Sequence, residues 1–424
     1  MNIRDDIAAR YAHAVEVSRE DLPTTTHAMH TMGSAVDSYA AQRVPGRLLD
    51  NLARIGGSIE IHAIMPGHMP VVMPDGKLLN RGHRFGTDKH YNVVRPQVFR
   101  RPDDGGRRIV MAVPPGTDYL LHYASLVAHY LRSQGHPSCV LRRVVRYPDA
   151  EDSIADWTGL GKLIEPGDRV LMGYVRELVQ RMVDDGATVL DKAGNDFYGT
   201  VTVALPGGQR VRALGVRYSF WGCISGRLAV ACQRAGAAEV VYAGKLGTLT
   251  APEDIYHKVF LPSSYLNYGH PEPWLSTAQA PVNGLLVRYP ELDSGVHMSV
   301  GTVLEEDIEQ RRYAEAFNTT SIDNEIAQMA RALTADPGSH RAAFSALHFA
   351  TDYLLRQGER EHRTVFNLTN HRTRRALQGK RVMLNRVAAL LQRYYTYEPV
   401  FDTTSAATPS PVMSDDRAVS TIIH

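Results

Sequence analysis

Three short segments of this chain carry residues suited to binding or cleaving a small polar molecule. Gly244-Lys245-Leu246-Gly247 directly follows the apolar run VVYA. Glycines there let the backbone approach a sugar or an anion where side chains would clash. Asp323-Asn324-Glu325 joins an apolar run to a helical pattern, and Asp352 ends the run FSALHFAT. Because ligands of open α/β sheets bind at the carboxyl ends of strands, the chemistry is expected around these segments.

The elements around these segments alternate between strand and helix. Residues from Val211 to Gly247 predict a strand, a turn, a helix and a second strand, as in a βαβ crossover. Two runs joined by Pro206-Gly207-Gly208 predict adjacent antiparallel strands. Residues 148 to 195 predict a polar, helix-bearing insertion. Further strands are expected at RIVMAV, CVLRRVVRY, HKVFLP, GLLVRYP, VHMSVGTV and FSALHFATD, and further helices at Asp5 to Arg19, YLLHYASLVAHYLRSQG, DNEIAQMARAL and Arg374 to Tyr395.

The composition is typical of a soluble globular protein, with 44% hydrophobic and 22% charged residues among 424. A net charge of +2 gives no global field to attract nucleic acid or an anionic membrane. No run approaches the roughly 20 apolar residues of a membrane helix, and no signal peptide is predicted. Three cysteines without CxxC spacing argue against a disulfide framework and a cysteine zinc site, so a cytoplasmic setting is expected.

The chain divides by pattern into three regions. Residues 1–104 form an N-terminal extension in which His27 and His30 have the i, i+3 spacing of a metal pair. Acid and cysteine partners are not arranged around them, which favours a surface or subunit contact over a metal site. Residues 105–400 form the catalytic domain. Residues 401–424 are rich in Ser, Thr, Ala and Pro and predict a disordered tail.

The order of the three segments resembles that of the purine nucleoside phosphorylase and nucleosidase superfamily. Gly244 to Gly247 is similar to its GxxG turn, Asp323-Asn324-Glu325 to its EME-type motif and Thr351-Asp352 to its SD motif. Pro115-Gly116-Thr117-Asp118 is similar to its GDP-type loop after the first strand. The resemblance covers about residues 108 to 395. It implies an α/β three-layer sandwich with a mixed central sheet, and we expect a homo-oligomer.

The resemblance also implies roles for individual residues. Cleaving a purine N-glycosidic bond builds positive charge on the sugar and negative charge on the base. Glu325 would hold the sugar hydroxyls and stabilise the oxocarbenium-like state, and Asp352 would protonate the leaving base as general acid. The substrate-binding residues would be Gly116, Arg217, Tyr218, Gly244, Lys245, Asp323 and Asn324.

Each of these residues also has a structural interpretation. Glu325 can be an exposed first-turn acid that complements the dipole of its helix. Asp352 and Asp323 can cap the helices that follow them. Lys245 can be a solvated loop lysine. Phe220 and Trp221 suit stacking on a base and core packing equally.

Departures from the family pattern bear on the nucleophile. The first loop lacks the phosphate-binding arginine, and Tyr242 stands where a second arginine is expected. Both losses disfavour phosphorolysis, because a phosphate dianion recruits charge-assisted donors. Lys245 can compensate or meet a phosphate on the substrate. The alternatives are therefore a nucleotide hydrolase in the manner of AMP nucleosidase and a non-catalytic nucleoside-binding regulatory protein.

Other chemistries lack their motifs. The sequence contains no GxSxG, HExxH, Walker or dinucleotide GxGxxG pattern. The basic segment His371 to Arg381 lacks the interleaved aromatic residues of a nucleic-acid site. We expect a nucleoside or nucleotide substrate, no metal, and no cofactor other than inorganic phosphate as an optional co-substrate.

Overall fold

The computed structural model describes residues 2–80, 93–102, 105, 107–268, 273–276, 279–359 and 373–396. Within these residues the chain forms two sheets, each with its own hydrophobic core. The predicted disordered tail, residues 401–424, lies outside the described residues. All three cysteines are free, as the sequence predicts.

The first sheet is mixed and has the order β1-β6-β2-β5-β4-β3. Its strands are β1 (Val15–Val17), β2 (Ser58–His62), β3 (Lys77–Asn80), β4 (Gln97–Arg100), β5 (Arg108–Ala112) and β6 (Leu141–Arg146). The helices of this part are α1 (Ile3–Arg10), α2 (Ala35–Ala41), α3 (Gly46–Arg54), α4 (Met69–Val72) and α5 (Thr117–Ser133). We call residues 2–146 the first unit.

The predicted boundary between residues 104 and 105 falls inside this sheet. Strand β5 pairs with β2 in parallel and with β4 in antiparallel fashion, so residues on both sides of the boundary share one ladder. Residues such as Ile59, Ile109 and Leu126 then pack into one core. The N-terminal residues are therefore part of a folded layer and not a surface extension.

The second sheet is mixed and larger. Its strands are β7 (Arg169–Gly173), β8 (Thr188–Gly194), β9 (Tyr198–Ala204), β10 (Arg210–Val216), β11 (Glu239–Thr248), β12 (Val259–Phe260), β13 (Ser264–Asn267), β14 (Trp274–Leu275), β15 (Val296–Ser299), β16 (Thr319–Asp323) and β17 (Ala343–Tyr353). The main order is β14-β13-β15-β16-β11-β7-β10-β9-β8, and β17 pairs with both β11 and β12. We call residues 148–396 the second unit.

Helices cover both faces of this sheet, as the resemblance predicts for a three-layer sandwich. The helices of the second unit are α6 (Pro148–Asp152), α7 (Ile154–Trp157), α8 (Val175–Asp184), α9 (Cys223–Arg234), α10 (Gly284–Arg288), α11 (Ile308–Ala316), α12 (Ile326–Ala335) and α13 (Arg374–Tyr395). Leu178 of α8 and Leu391 of α13 belong to the core on one face. Leu228 of α9 and Met329 of α12 belong to the core on the other face.

Three predicted elements are wrong. The helix predicted from Asp5 to Arg19 ends at Arg10, and Val15–Val17 forms strand β1. The supposed insertion at residues 148 to 195 contains β7, which lies in the middle of the sheet between β10 and β11. The predicted strand GLLVRYP is instead α10, which Asn283 caps by accepting a hydrogen bond from the Leu285 backbone N–H. Strand β7 and helix α10 each have 5 residues, which is too short for hydrophobic periodicity to separate strand from helix.

Candidate functional site

Three strand ends converge around Gly247. In its first half β11 pairs with β7, and along its whole length it pairs with β17. At Gly247 the strand β16 takes the place of β7, so that Gly247 lies opposite Ile322 on one side and Asp352 on the other. This exchange brings the Gly244 to Gly247 segment, the Asp323 to Glu325 segment and Asp352 together. The predicted turn at Gly244 to Gly247 is wrong, because these residues continue β11 as far as Thr248.

The exchange depends on β7 ending early. Gly173, its last residue, has φ +95°, and a Cβ there would lie 2.1 Å from the Ala243 carbonyl oxygen. Glycine is therefore the residue that permits both the turn and the close approach to β11. Close packing also requires a glycine at Gly244, because a Cβ there would lie 2.7 Å from His348 Nε2.

Lys245 on β11 and Asp352 on β17 interact electrostatically. The Lys245 side chain is half-buried, and burial lowers its pKa while the Asp352 carboxylate is the main influence that opposes this shift. Thr351 Oγ1 donates a hydrogen bond to Asp352 Oδ1 at 2.5 Å. No helix follows Asp352 within residues 353–359, so the capping interpretation does not apply to it.

Glu325 begins α12, yet its side chain makes no capping hydrogen bond. Burial and the neighbouring Asp323 charge raise the pKa of Glu325 to about 8. A hydrogen bond donated by the Tyr242 hydroxyl and the charge of Lys245 act in the opposite direction. At pH 7 Glu325 therefore mostly retains its proton, and its carboxyl group is not engaged by the helix end.

Asp323 is instead the residue that caps α12. Its carboxylate accepts hydrogen bonds from the Glu325 and Ile326 backbone N–H groups. His297 Nε2 lies 2.9 Å and His348 Nε2 lies 3.0 Å from its two oxygens. Burial alone would raise the pKa of Asp323, but these histidines hold it well below its usual range. Asp323 thus caps α12 and holds the Glu325 backbone, and its role in substrate binding stays a prediction.

Three further predicted binding residues have other roles or positions. The Asn324 side chain donates a hydrogen bond to the Val300 carbonyl at 2.9 Å. The Tyr218 hydroxyl lies 2.6 Å from that of Tyr198 in the core, so it does not line the site. The Arg217 side chain is exposed just beyond the end of β10. Both Arg217 and Tyr218 lie beyond Val216, the last residue of β10, whereas the sequence predicted them at the end of that strand.

The predicted loop at Gly116 belongs to the first unit. It connects β5 to α5, and a Cβ on Gly116 would lie 2.8 Å from Ile224 Cγ1 at the start of α9. The first strand of the second sheet in chain order is β7, so the loop at Gly116 precedes that sheet and does not belong to it. Gly116 is thus a packing contact between the units.

Glu306 is a third carboxyl group of the site that the sequence did not single out. It follows β15 after a 3₁₀ turn at Val303–Glu305, and its side chain is buried. Burial and the Asp352 carboxylate raise the pKa of Glu306 well above its usual range, while Lys245 opposes the shift. Its only sequence signal is the acidic run EED after a predicted strand.

We expect Glu306→Gln to stabilise the fold increasingly as the pH rises. A buried carboxyl with a raised pKa keeps its proton in the folded state while the unfolded chain ionises, so the free energy of unfolding falls above about pH 4.5. Glutamine stays neutral in both states and avoids this loss. Urea unfolding at pH 5 and pH 8 should show the larger gain at pH 8, whereas exposed Glu309→Gln should show none. Equal destabilisation at both pH values would contradict the assigned protonation.

The remaining described residues add little other chemistry. The ring centres of Phe220 and Tyr242 lie 6.4 Å apart in an edge-to-face arrangement. Because Phe220 is only half-buried, its ring stays available for stacking on a base. Trp221 instead packs against His122 at 4.9 Å. No group of metal-binding side chains occurs among the described residues. None of the described helices has the length and apolar character to cross a bilayer.

Comparison with known proteins gives one curated relative and several solved structures, and no family model matches the chain. The relative is oxidoreductase cns1 of Cordyceps militaris, 32% identical over an alignment of 402 residues that covers 88% of this chain and 49% of the relative. The chain thus spans about half the length of the relative.

The solved structures that match are nucleoside phosphorylases and nucleosidases. Purine nucleoside phosphorylase of Toxoplasma gondii is 14% identical with a TM-score of 0.38, covering 55% of this chain and 94% of its own. The 5′-methylthioadenosine nucleosidase of Arabidopsis thaliana is 15% identical with a TM-score of 0.39, and the match covers 54% of this chain and 95% of the nucleosidase. Futalosine hydrolase of Helicobacter pylori is 10% identical with a TM-score of 0.38, and the match covers 54% of this chain and 97% of the hydrolase. Likenesses this distant assign no residue role or activity to this chain.

Proposed function

We propose that this protein cleaves the N-glycosidic bond of a purine-type nucleoside or nucleotide at the convergence of β11, β16 and β17. The observation that carries the proposal is the position of Gly247 between Ile322 and Asp352. A Cβ on Gly247 would lie 3.2 Å from Asp352 Oδ2, and Glu325 follows the end of β16 by two residues. The side chains of Asp352 and Glu325 do not cap helices.

The roles follow from the chemistry of bond cleavage. The bonding electron pair leaves with the base, which takes a proton from Asp352, while positive charge develops on the sugar. Glu325 hydrogen-bonds the sugar hydroxyls and, in its ionised form, stabilises that charge electrostatically. Tyr242 and Asp323 hold Glu325 in place through its carboxyl group and its backbone N–H. Water or phosphate adds to the sugar carbon, and we favour water because Tyr242 replaces an arginine.

The direct test is product analysis. Purified protein is incubated with a panel of purine nucleosides and nucleotides, with and without inorganic phosphate, and free base is quantified. We expect base release without added phosphate, accompanied by free sugar or sugar phosphate. A sugar 1-phosphate that appears only with added phosphate would show phosphorolysis and contradict our preference for water. No base from any substrate would contradict the proposed reaction. No cofactor is expected, and light scattering tests the expected homo-oligomer.

A second candidate is an oxidoreductase, favoured by the name of the curated relative and the 88% of this chain that it matches. Because the chain spans about half of that relative, the name can refer to chemistry of the other half. The same panel, assayed with NADH and NADPH by absorbance, separates the two functions. Nicotinamide turnover without free base would favour the oxidoreductase. Stoichiometric binding of a nucleoside without any turnover would favour a regulatory protein.

A further inference from the structure

The proposed reaction leaves two buried histidines beside the candidate site without a role. His297 lies on β15 and His348 on β17, and both side chains are fully buried. The centres of their rings lie 5.6 Å apart. His297 Nε2 lies 2.9 Å from Asp323 Oδ1, and His348 Nε2 lies 3.0 Å from Asp323 Oδ2. An ionised carboxylate only accepts hydrogen bonds, so each Nε2 carries the hydrogen that faces Asp323.

The Asp323 carboxylate has more donors around it than a helix cap needs. It accepts hydrogen bonds from the backbone N–H groups of Glu325 at 3.0 Å and Ile326 at 3.1 Å, and these two bonds suffice to cap α12. Ser299 Oγ donates a further hydrogen bond to Oδ1 at 2.5 Å. Removing two imidazoles from water as well costs free energy. Capping alone therefore does not explain why two histidines are buried against this carboxylate.

The surroundings fix the orientation of both imidazole rings. Ser321 Oγ lies 2.8 Å from His297 Nδ1, so this ring is held from both sides. The His348 ring lies over Gly244, where a Cβ would approach Nε2 to 2.7 Å. The centres of the His348 and Tyr242 rings lie 5.3 Å apart. A fixed ring holds its Nε2–H group on the carboxylate with little loss of conformational freedom.

The same group of side chains holds Glu325 at both ends. Asp323 binds its backbone N–H, and the Tyr242 hydroxyl, whose ring packs against His348, donates to its carboxyl group. The charge of Asp323 raises the pKa of Glu325, and that of Lys245 lowers it. The titratable groups that act on Asp323 and Glu325 are Tyr242 and Lys245 of β11, His297 of β15, Glu306 of the turn after β15, and His348 of β17.

We propose that His297 and His348 are positioning residues of the candidate site, which hold the Asp323 carboxylate in place and through it orient Glu325 toward the sugar. This inference rests on the proposed function and adds the groups that regulate the same site through pH. Because the histidines keep Asp323 ionised, its negative charge stays beside Glu325, and Glu325 ionises only at alkaline pH. Without the histidine donors, burial favours protonated Asp323, and Glu325 then ionises at lower pH.

The test measures kcat/KM for a purine riboside as a function of pH in three kinds of variant. Replacing either histidine by leucine removes the donor, whereas glutamine offers an amide N–H near the position of Nε2. Asp323→Asn removes the charge and keeps the size. Above pH 8 we expect the leucine variants to lose about 10-fold, the value of a charged hydrogen bond, and the glutamine variants to keep most of the activity. In the leucine variants and in Asp323→Asn, the rise of kcat/KM near pH 8 should move to lower pH by about 1 unit.

The matched control is His129→Leu. His129 Nε2 lies 2.7 Å from Asp37 Oδ1 in the first unit, so this variant also loses a contact between a histidine and a carboxylate. We expect it to lose stability without any change in the pH at which kcat/KM rises.

Leucine variants that behave like His129→Leu overturn the proposal, and so does an unmoved rise of kcat/KM in Asp323→Asn. If circular dichroism shows that the leucine variants do not fold, Asp323→Asn decides by the same readout.

If wild-type protein releases no base, the proposed function fails, and the free energy of unfolding still tests the role of Asp323 and its histidines. A raised pKa of Glu325 makes stability decline between about pH 4.5 and pH 8, and Glu325→Gln should remove that decline. The same substitution should have a smaller effect in protein that carries Asp323→Asn or a histidine-to-leucine change. Equal effects in all these proteins overturn the proposal.

Discussion

Asp352→Asn should lower turnover by about 10²- to 10⁴-fold, the usual contribution of a general acid. The asparagine amide has nearly the same shape and still accepts a hydrogen bond from Thr351, so the fold should persist. It cannot transfer a proton to the leaving base. Steady-state kinetics should therefore show a large loss of kcat with substrate binding largely retained.

The matched control is Asp336→Asn. Asp336 is also buried, but its carboxylate accepts hydrogen bonds from Gln233 and Arg234 at the far end of α12. We expect that variant to lose stability and keep its turnover. Unchanged turnover in Asp352→Asn would remove this residue from the mechanism. A loss that chemical denaturation traces to unfolding would leave the proton transfer unsupported.

Measured above pH 8, where the Glu325 carboxyl is ionised, Glu325→Gln should weaken both binding and turnover of ribosides by about 10- to 100-fold in kcat/KM, because a charged hydrogen bond to the sugar is lost. The loss should be smaller for a deoxy analogue that lacks the contacted hydroxyl. Glu309→Gln, on the exposed surface of α11, is the control. Equal losses on the riboside and the deoxy analogue would contradict the sugar-binding role.

The pH profile gives an independent check on Glu325. Since its pKa is raised to about 8, kcat/KM of the wild type should rise with pH through that value if the carboxylate is the form that stabilises the sugar cation. Glutamine does not titrate, so the rise of kcat/KM through pH 8 should be absent from Glu325→Gln. If the rise of kcat/KM persists in the variant, it reports the titration of a different residue.

Much of the local structure could be predicted from the sequence. The apolar run before Gly244 marks a strand buried on both faces, and β11 is that strand. Helix α13 has the predicted bounds, because 22 residues give an amphipathic pattern several turns in which to repeat. The three segments around Gly247, Glu325 and Asp352 were also found by sequence, since each combines a strand end with glycine or an acid.

Only the tertiary structure decided how these segments are used. Asp323 and Glu325 look equivalent in sequence. His297 and His348 approach Asp323 from distant strands. Among the described residues Glu325 has no such partner, and its pKa is raised. The central position of β7 and the burial of Glu306 likewise depend on contacts between residues far apart in the chain. Local pattern determines which element a residue joins. Which polar groups become buried together depends on strand pairing, which sequence spacing does not encode.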